Sequence, residues 1–222
     1  MHNPIRTLRF AANFLRLIRD PNRVDIVLQL GDASSVDPEV VRPMLARPVV
    51  AAWLARRHPP LRVSLPALRG MPDGSLGRAF AGFLDQRGFD PTGLYHTDVD
   101  AAATDLERFK IHMERTHDLW HTVVGFDTDV AGELGLQAFY MAQLGTSLGY
   151  VLLAAGMLNT LFIAHDDGDR RMEAITRGWQ LGRRARPLFG ADWDAMFTWP
   201  IDQVRAHFGL TDADLRATSL AA

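Results

Sequence analysis

Residues 134–164 run for 31 positions without a charged side chain, although charge flanks them on both sides. An uncharged stretch longer than about 18 residues can cross a bilayer, and Gly145-x-x-x-Gly149 would let such helices pack closely. Three details favour two buried helices instead. The run contains Gln137, Gln143, Thr146, Ser147 and Asn159. As a single helix it would be on the order of 45 Å long, well over a hydrocarbon core. Gly145-Thr146-Ser147 also offers a break. Two all-apolar helices exceed what an ordinary core of this size needs, so two readings stand: the wall of a pocket for a long apolar ligand, or plain core.

Elsewhere the apolar positions recur at helical spacing over 5–19, 24–30, 39–56, 75–87, 98–122, 129–145, 148–164, 169–187 and 200–208, and alternating β-branched runs are scarce. An all-α chain of eight or nine helices is expected. The turn clusters between them are too short for a flexible linker, so a single domain over 1–222 is expected. Ser34 or Asp37 before Pro38-Glu39, and Asp166 to Asp169 before the Arg-rich segment, read as helix starts. The 24 basic and 26 acidic residues leave a net charge of −2, without the clustered basic excess of a nucleic-acid binder. With no cysteine, thiolate ligation and redox dithiols are excluded, and any metal must be held by His, Asp and Glu. The Arg-interrupted segment 5–19 lacks a secretory pattern, so the chain is expected to stay inside the cell. Leu8, Ala12, Leu15 and Ile18 give that segment one apolar face, suited to a surface helix of the domain or to an anionic membrane.

The chemistry concentrates in Arg115-Thr116-His117-Asp118-Leu119-Trp120-His121. His117 and His121 stand one helical turn apart on one face, with Asp118 three residues before His121. Gly125-Phe126-Asp127-Thr128 breaks the helix, and the next one starts at Asp129 and carries Glu133, the last charge before the apolar run. An antiparallel return would bring Glu133 back over the histidines. A carboxylate pointing inward there must be paired or metal-bound. Two neutral imidazoles and two carboxylates would neutralise a divalent cation: Zn, Fe, Mn or, less well, Mg. On spacing alone, paired helix histidines are more often surface or core residues than ligands.

His117-Asp118-x-x-His121 followed after eleven residues by Glu133, inside Gly132-Glu133, resembles the signature of the coenzyme Q (ubiquinone) biosynthesis family known as coenzyme Q protein four. The flanks agree in order: Arg23-x-Asp25, Leu76-Gly77-Arg78 after Gly74-Ser75, Gly178-Trp179-x-x-Gly182-Arg183, and Asp192-Trp193-Asp194 with Arg205. Asp194 departs from the Glu expected after the tryptophan. The resemblance implies an all-α protein holding a divalent metal, Zn first among the candidates, through His117, Asp118, His121 and Glu133. It implies a tunnel for a polyprenyl chain and work on a ubiquinone precursor, with the carboxyl at ring C1 removed and replaced by hydroxyl. It also implies peripheral association with the inner membrane on the cytoplasmic side, other quinone biosynthesis enzymes as partners, and leaves a homo-oligomer open. The alternative it carries is a non-catalytic prenyl-lipid-binding scaffold.

Other residues read as structural. His112 lies off the ligand face, and His58 sits in a Pro-rich loop. Trp120 and Phe126 read as packing for the helix pair. Met141 and Met157 suit either an adaptable tunnel wall or core filling. Arg170, Arg177 and Arg184, seven residues apart, read as a solvated charged face in preference to a lipid or partner contact. His165-Asp166-Asp167, at the end of the uncharged run, reads as a cap in preference to a further ligand or proton relay.

Overall fold

A computed structural model describes residues 4–34, 38–94 and 104–211. Twelve α-helices are present among them: α1 Pro4–Arg19, α2 Val24–Ser34, α3 Pro38–Leu45, α4 Pro48–Arg56, α5 Leu65–Arg69, α6 Leu76–Arg87, α7 Asp105–Val124, α8 Val130–Leu144, α9 Ser147–Phe162, α10 Gly168–Arg184, α11 Trp193–Met196 and α12 Ile201–Phe208. The all-α expectation holds; among the described residues extended pairing is limited to one isolated bridge, Ser75 with Pro200. The count exceeds nine for identifiable reasons. The stretch expected at 39–56 is two helices, because Pro48 at the first turn of α4 restarts the chain after Leu45. α5 and α11, at 5 and 4 residues, are too short to show periodicity. Asp37 and residues 98–103 lie outside the described residues, and α7 starts at Asp105 behind Thr104.

The uncharged run divides where its glycine allowed. Gly145 adopts φ 66°, closing α8, and Thr146 opens α9. The resulting helices, of 15 and 16 residues, are each about 22–24 Å long, short of a bilayer core. No helix among the described residues is long and apolar enough to cross a membrane.

The chain clusters into two compact units, neither continuous in sequence. Among the described residues, one comprises 4–34, 38–44 and 126–184, and therefore α1, α2, most of α3, and α8 to α10. In it, Leu17, Ile26, Leu30 and Ala155 form a buried cluster joined by Phe10, Phe14 and Ile18. The inward face of α1 is thus Phe10, Phe14, Leu17 and Ile18; Leu8, Ala12 and Leu15 point to solvent. α8 and α10 approach through glycine. A Cβ on Gly178 would lie 1.9 Å from the Gly135 carbonyl oxygen, and one on Gly182 would lie 2.8 Å from that of Phe139.

The other unit comprises, among the described residues, 45–94, 104–125 and 185–211. Its core includes Trp53, Phe109, Leu119, Trp120 and Phe189. The first N–H groups of α6, which have no partner inside the helix, donate to the carbonyls before α12: Leu76 to Trp199 at 2.8 Å and Gly77 to Phe197 at 2.9 Å. Gly77 is needed there, since a Cβ would meet the Met71 sulfur and the Phe197 oxygen.

Candidate metal centre

Helix α7 is fixed at both ends. Thr104 and Glu107 make a reciprocal capping box at its start. At its end Gly125 turns left-handed at φ 75°, and the Arg205 guanidinium donates to the carbonyls of Thr122 and Val123 at 3.2 Å each. These carbonyls are among those a helix end leaves without an internal partner. The rotation of α7 is set by what it buries: Leu119, Trp120 and Val123 are fully enclosed.

That rotation turns His117 and His121 towards each other. Their Nε2 atoms lie 3.2 Å apart with the rings perpendicular. His121 is 1% exposed and its ring stacks on Phe83 of α6, centroids 5.8 Å apart. Phe83 also carries the Arg87 guanidinium 3.9 Å from its ring centre. Spacing gave no signal for Phe83, because the contact spans 38 residues (121 less 83).

After Gly125 the chain turns tightly into α8. Asp129 caps it as expected, its Oδ1 accepting from Gly132 N–H at 2.8 Å. The Gly132 of the Gly132-Glu133 pair is dictated by the turn, since a Cβ would lie 2.0 Å from the Asp127 carbonyl oxygen. Gly135 rests against the Phe126 ring, and Arg177 covers the same ring at 4.1 Å. Arg170 pairs with Asp129 and with Asp167. Arg171, 5% exposed, donates to Asp167, Asn159 and Thr160 at 2.7, 2.8 and 3.0 Å. The seven-residue arginine series is a solvated face only in part: Arg170 and Arg184 are exposed, Arg170 being ion-paired as well, whereas Arg177 is half-buried and stacks on Phe126. Asp167 is occupied by these arginines, whose hydrogen bonds hold its carboxyl below the usual range, Arg170 contributing most.

His117, His121 and Glu133 each offer a ligand atom, and these atoms lie within 4.8 Å of one another. The donor set suits a divalent ion. Two nitrogens bound at about 2.0–2.1 Å to one tetrahedral zinc stand roughly 3.3–3.4 Å apart, close to the separation seen here. Asp118, half-buried on α7, does not enter this group; its backbone carbonyl accepts from the Thr122 hydroxyl at 3.0 Å. His112 is separate from the centre, as the sequence reading held. It is buried against Trp53 and Phe189, and burial pushes its pKa down to about 3. Trp120 and Phe126 are packing residues, 0% and 3% exposed. His58 is exposed, and its carbonyl accepts from Arg108.

The flanking motifs have structural roles. Arg23 and Asp25 form a two-point pair at 2.8 and 2.7 Å. Asp192 caps α11, and Trp193 is buried. Burial, then Asp192, raises the carboxyl of Asp194; nothing in the structure accounts for Asp at that position.

Residues 4–214 match the family model described as coenzyme Q (ubiquinone) biosynthesis protein Coq4. Proteins named ubiquinone biosynthesis protein coq4, mitochondrial, are similar along most of the chain. That of Aspergillus fumigatus is 26% identical over 87% of this chain and 68% of its own length, and that of Talaromyces stipitatus is 28% identical over 89% and 69%. The COQ4 homologue of Bos taurus is 26% identical over 90% and 76%. A crystal structure from Nostoc punctiforme, of a protein named for ubiquinone biosynthesis, superposes with a TM-score of 0.77 at 25% identity, covering 91% of this chain and 97% of that one. With the helical fold and the ordered His117, His121 and Glu133 in hand, these likenesses establish that the chain belongs to the coenzyme Q (ubiquinone) biosynthesis protein Coq4 family.

Proposed function

We propose that this protein is a metal-dependent enzyme of ubiquinone biosynthesis that acts on the ring of a polyprenylated precursor, replacing the C1 carboxyl group by hydroxyl. The observation that carries the reading is the convergence of His117, His121 and Glu133 on one point, with the uncharged run starting at the next residue, Leu134. In this reading His117, His121 and Glu133 hold a divalent ion, zinc first among the candidates, and Asp118, which stands apart from the three, is the fourth ligand that the family resemblance implies. When bound, the ion supplies Lewis acidity to a carboxylate or phenolate oxygen of the ring. The chain's own part is to fix the donors. Phe83 orients the His121 ring, the Asp129 cap sets the first turn of α8, and the turn at Gly132 brings Glu133 back to the histidines. The prenyl tail runs along the apolar residues of α8 and α9. Replacing carboxyl by hydroxyl is a two-electron oxidation, so the reaction uses dioxygen or another acceptor. The protein works peripherally at the inner membrane, beside other quinone biosynthesis enzymes.

A scaffold that binds prenyl lipid without chemistry is the second reading. It is favoured by the ligands coming from two consecutive helices, which an ion would staple together. Native mass spectrometry and elemental analysis of protein from its own host test the site, with stoichiometric divalent metal and prenyl lipid expected. Glu133→Gln should lower metal affinity by at least tenfold, the scale on which outer-shell losses alone act. Absence of stoichiometric metal would overturn the metal reading. Lost ring turnover in Asp118→Asn and Glu133→Gln with folding intact supports catalysis, whereas unfolding together with metal loss supports the scaffold.

A further inference from the structure

Helix α1 has two apolar faces and buries one. Phe10, Phe14, Leu17 and Ile18 join the core shared with α2 and α9. On the opposite side Ile5, Leu8 and Leu15 are 67%, 70% and 60% exposed, at helical spacing with exposed Ala12. Arg9, Arg16 and Arg19 occupy that same side by helical angle, all exposed, and α1 contains no acidic residue.

Helix α9 repeats the pattern without charge. Tyr150, Ala154, Met157 and Leu161 share one exposed face, and Phe162, 71% exposed, and Ile163 continue it. The two helices are tied where they end. The Asn159 side chain donates to the Ile18 carbonyl at 2.7 Å. Leu15, Arg16 and Arg19 therefore lie within one turn of the joint on α1. Leu161, Phe162 and Ile163 lie within four residues of it on α9.

Helix surfaces facing water ordinarily carry polar side chains. An apolar surface edged by arginines, with no acid on the helix that bears them, is the pattern of a helix lying in a bilayer interface. A second copy complements it poorly, because a two-fold contact sets a patch against itself and would oppose the α1 arginines to their own equivalents. We propose that the joined ends of α1 and α9 dock on an anionic lipid bilayer. Leu15, Leu161 and Phe162 enter the boundary between headgroups and acyl chains, and Arg16 and Arg19 meet lipid phosphates. This rests on the peripheral membrane placement above and names the surface that makes it. It is independent of the metal centre, none of whose ligands takes part.

Co-sedimentation of the full chain with phosphatidylcholine vesicles, and with vesicles also containing phosphatidylglycerol, tests the surface. The protein should bind the anionic vesicles, and added salt should weaken binding. Arg16→Gln with Arg19→Gln should lower the partition coefficient roughly thirtyfold, given the contribution of each arginine near an anionic surface. Leu161→Ser with Phe162→Ser should lower it at least tenfold. All four positions are exposed, so thermal unfolding should stay at the wild-type temperature. Absence of binding to anionic vesicles would overturn the proposal, as would variants that bind like wild type. It would also fall if ultracentrifugation showed a dimer that dissociates in the Leu161/Phe162 variant, since the surface would then belong to a second copy. Vesicle binding by protein that is isolated from its own host without stoichiometric metal would leave the proposal standing while the metal reading fails.

Discussion

Replacing Gly178 by alanine should destabilise the fold although it improves helix propensity. The added Cβ would lie 1.9 Å from the Gly135 carbonyl oxygen and 2.8 Å from its carbonyl carbon. Carbon contacts settle at about 3.5 Å or more, so α10 must retreat by roughly 1.6 Å at that point. Both neighbours are backbone, and no flexible side chain can give way. Overpacking of this kind costs about 3 kcal/mol, offset by about 1 kcal/mol from the better helix former. The net loss, about 2 kcal/mol, lowers Tm by about 4–8 °C in a chain of this length. Gly82 provides the internal control: it lies inside α6, and nothing stands within 4 Å of where its Cβ would be. Gly82→Ala should gain about 0.4–1 kcal/mol, because the unfolded chain has less freedom to lose. Calorimetry of both variants reads the two signs against wild type. A Gly178→Ala Tm at or above the wild-type value would refute the close-approach argument.

His112 makes stability depend on pH. Its native pKa, near 3, lies below the ordinary 6.5 because burial disfavours the cation, so between those values the unfolded chain takes a proton that the native state refuses. Stability therefore falls as pH drops below 6.5, by about 1.4 kcal/mol per pH unit, and His112→Gln should remove about 2 kcal/mol of the loss between pH 7 and 5 in urea titrations. Arg205→Met removes two charged donors from the end of α7; about 1–2 kcal/mol should go, seen as a lower urea midpoint at unchanged slope. Arg171→Met strips Asp167, Asn159 and Thr160 of a buried partner at once, and about 3 kcal/mol should be lost in the same assay.

The long helices were legible because each carries its own signal. Gly145 marked the break in the uncharged run, Asp129 marked a cap, and the i, i+4 spacing of His117 and His121 needed nothing beyond α7 itself. Elements resting on distant contacts were not legible. Phe83 reaches His121 from another helix, and the partners of Arg170 and Arg177 went unseen because neither Asp129 nor the Phe126 ring announces in sequence what it will meet. The outer stripe of α1 illustrates a further limit. Periodicity identified Leu8, Ala12, Leu15 and Ile18 as one apolar face, but a second face built on Phe10, Phe14 and Leu17, which Ile18 joins, took the core, and only packing decides between them.

Among the described residues, the chain passes from one compact unit to the other after residues 44, 125 and 184. During synthesis, residues 1–44 are therefore made roughly 140 residues before the last helix of their own unit. At about 5–20 residues per second, that interval is about 7–28 s. For most of it, until α9 ends at Phe162, Phe10 and Phe14 have no α9 to cover them, so the nascent chain exposes the apolar face of α1 until its partner helix has been made.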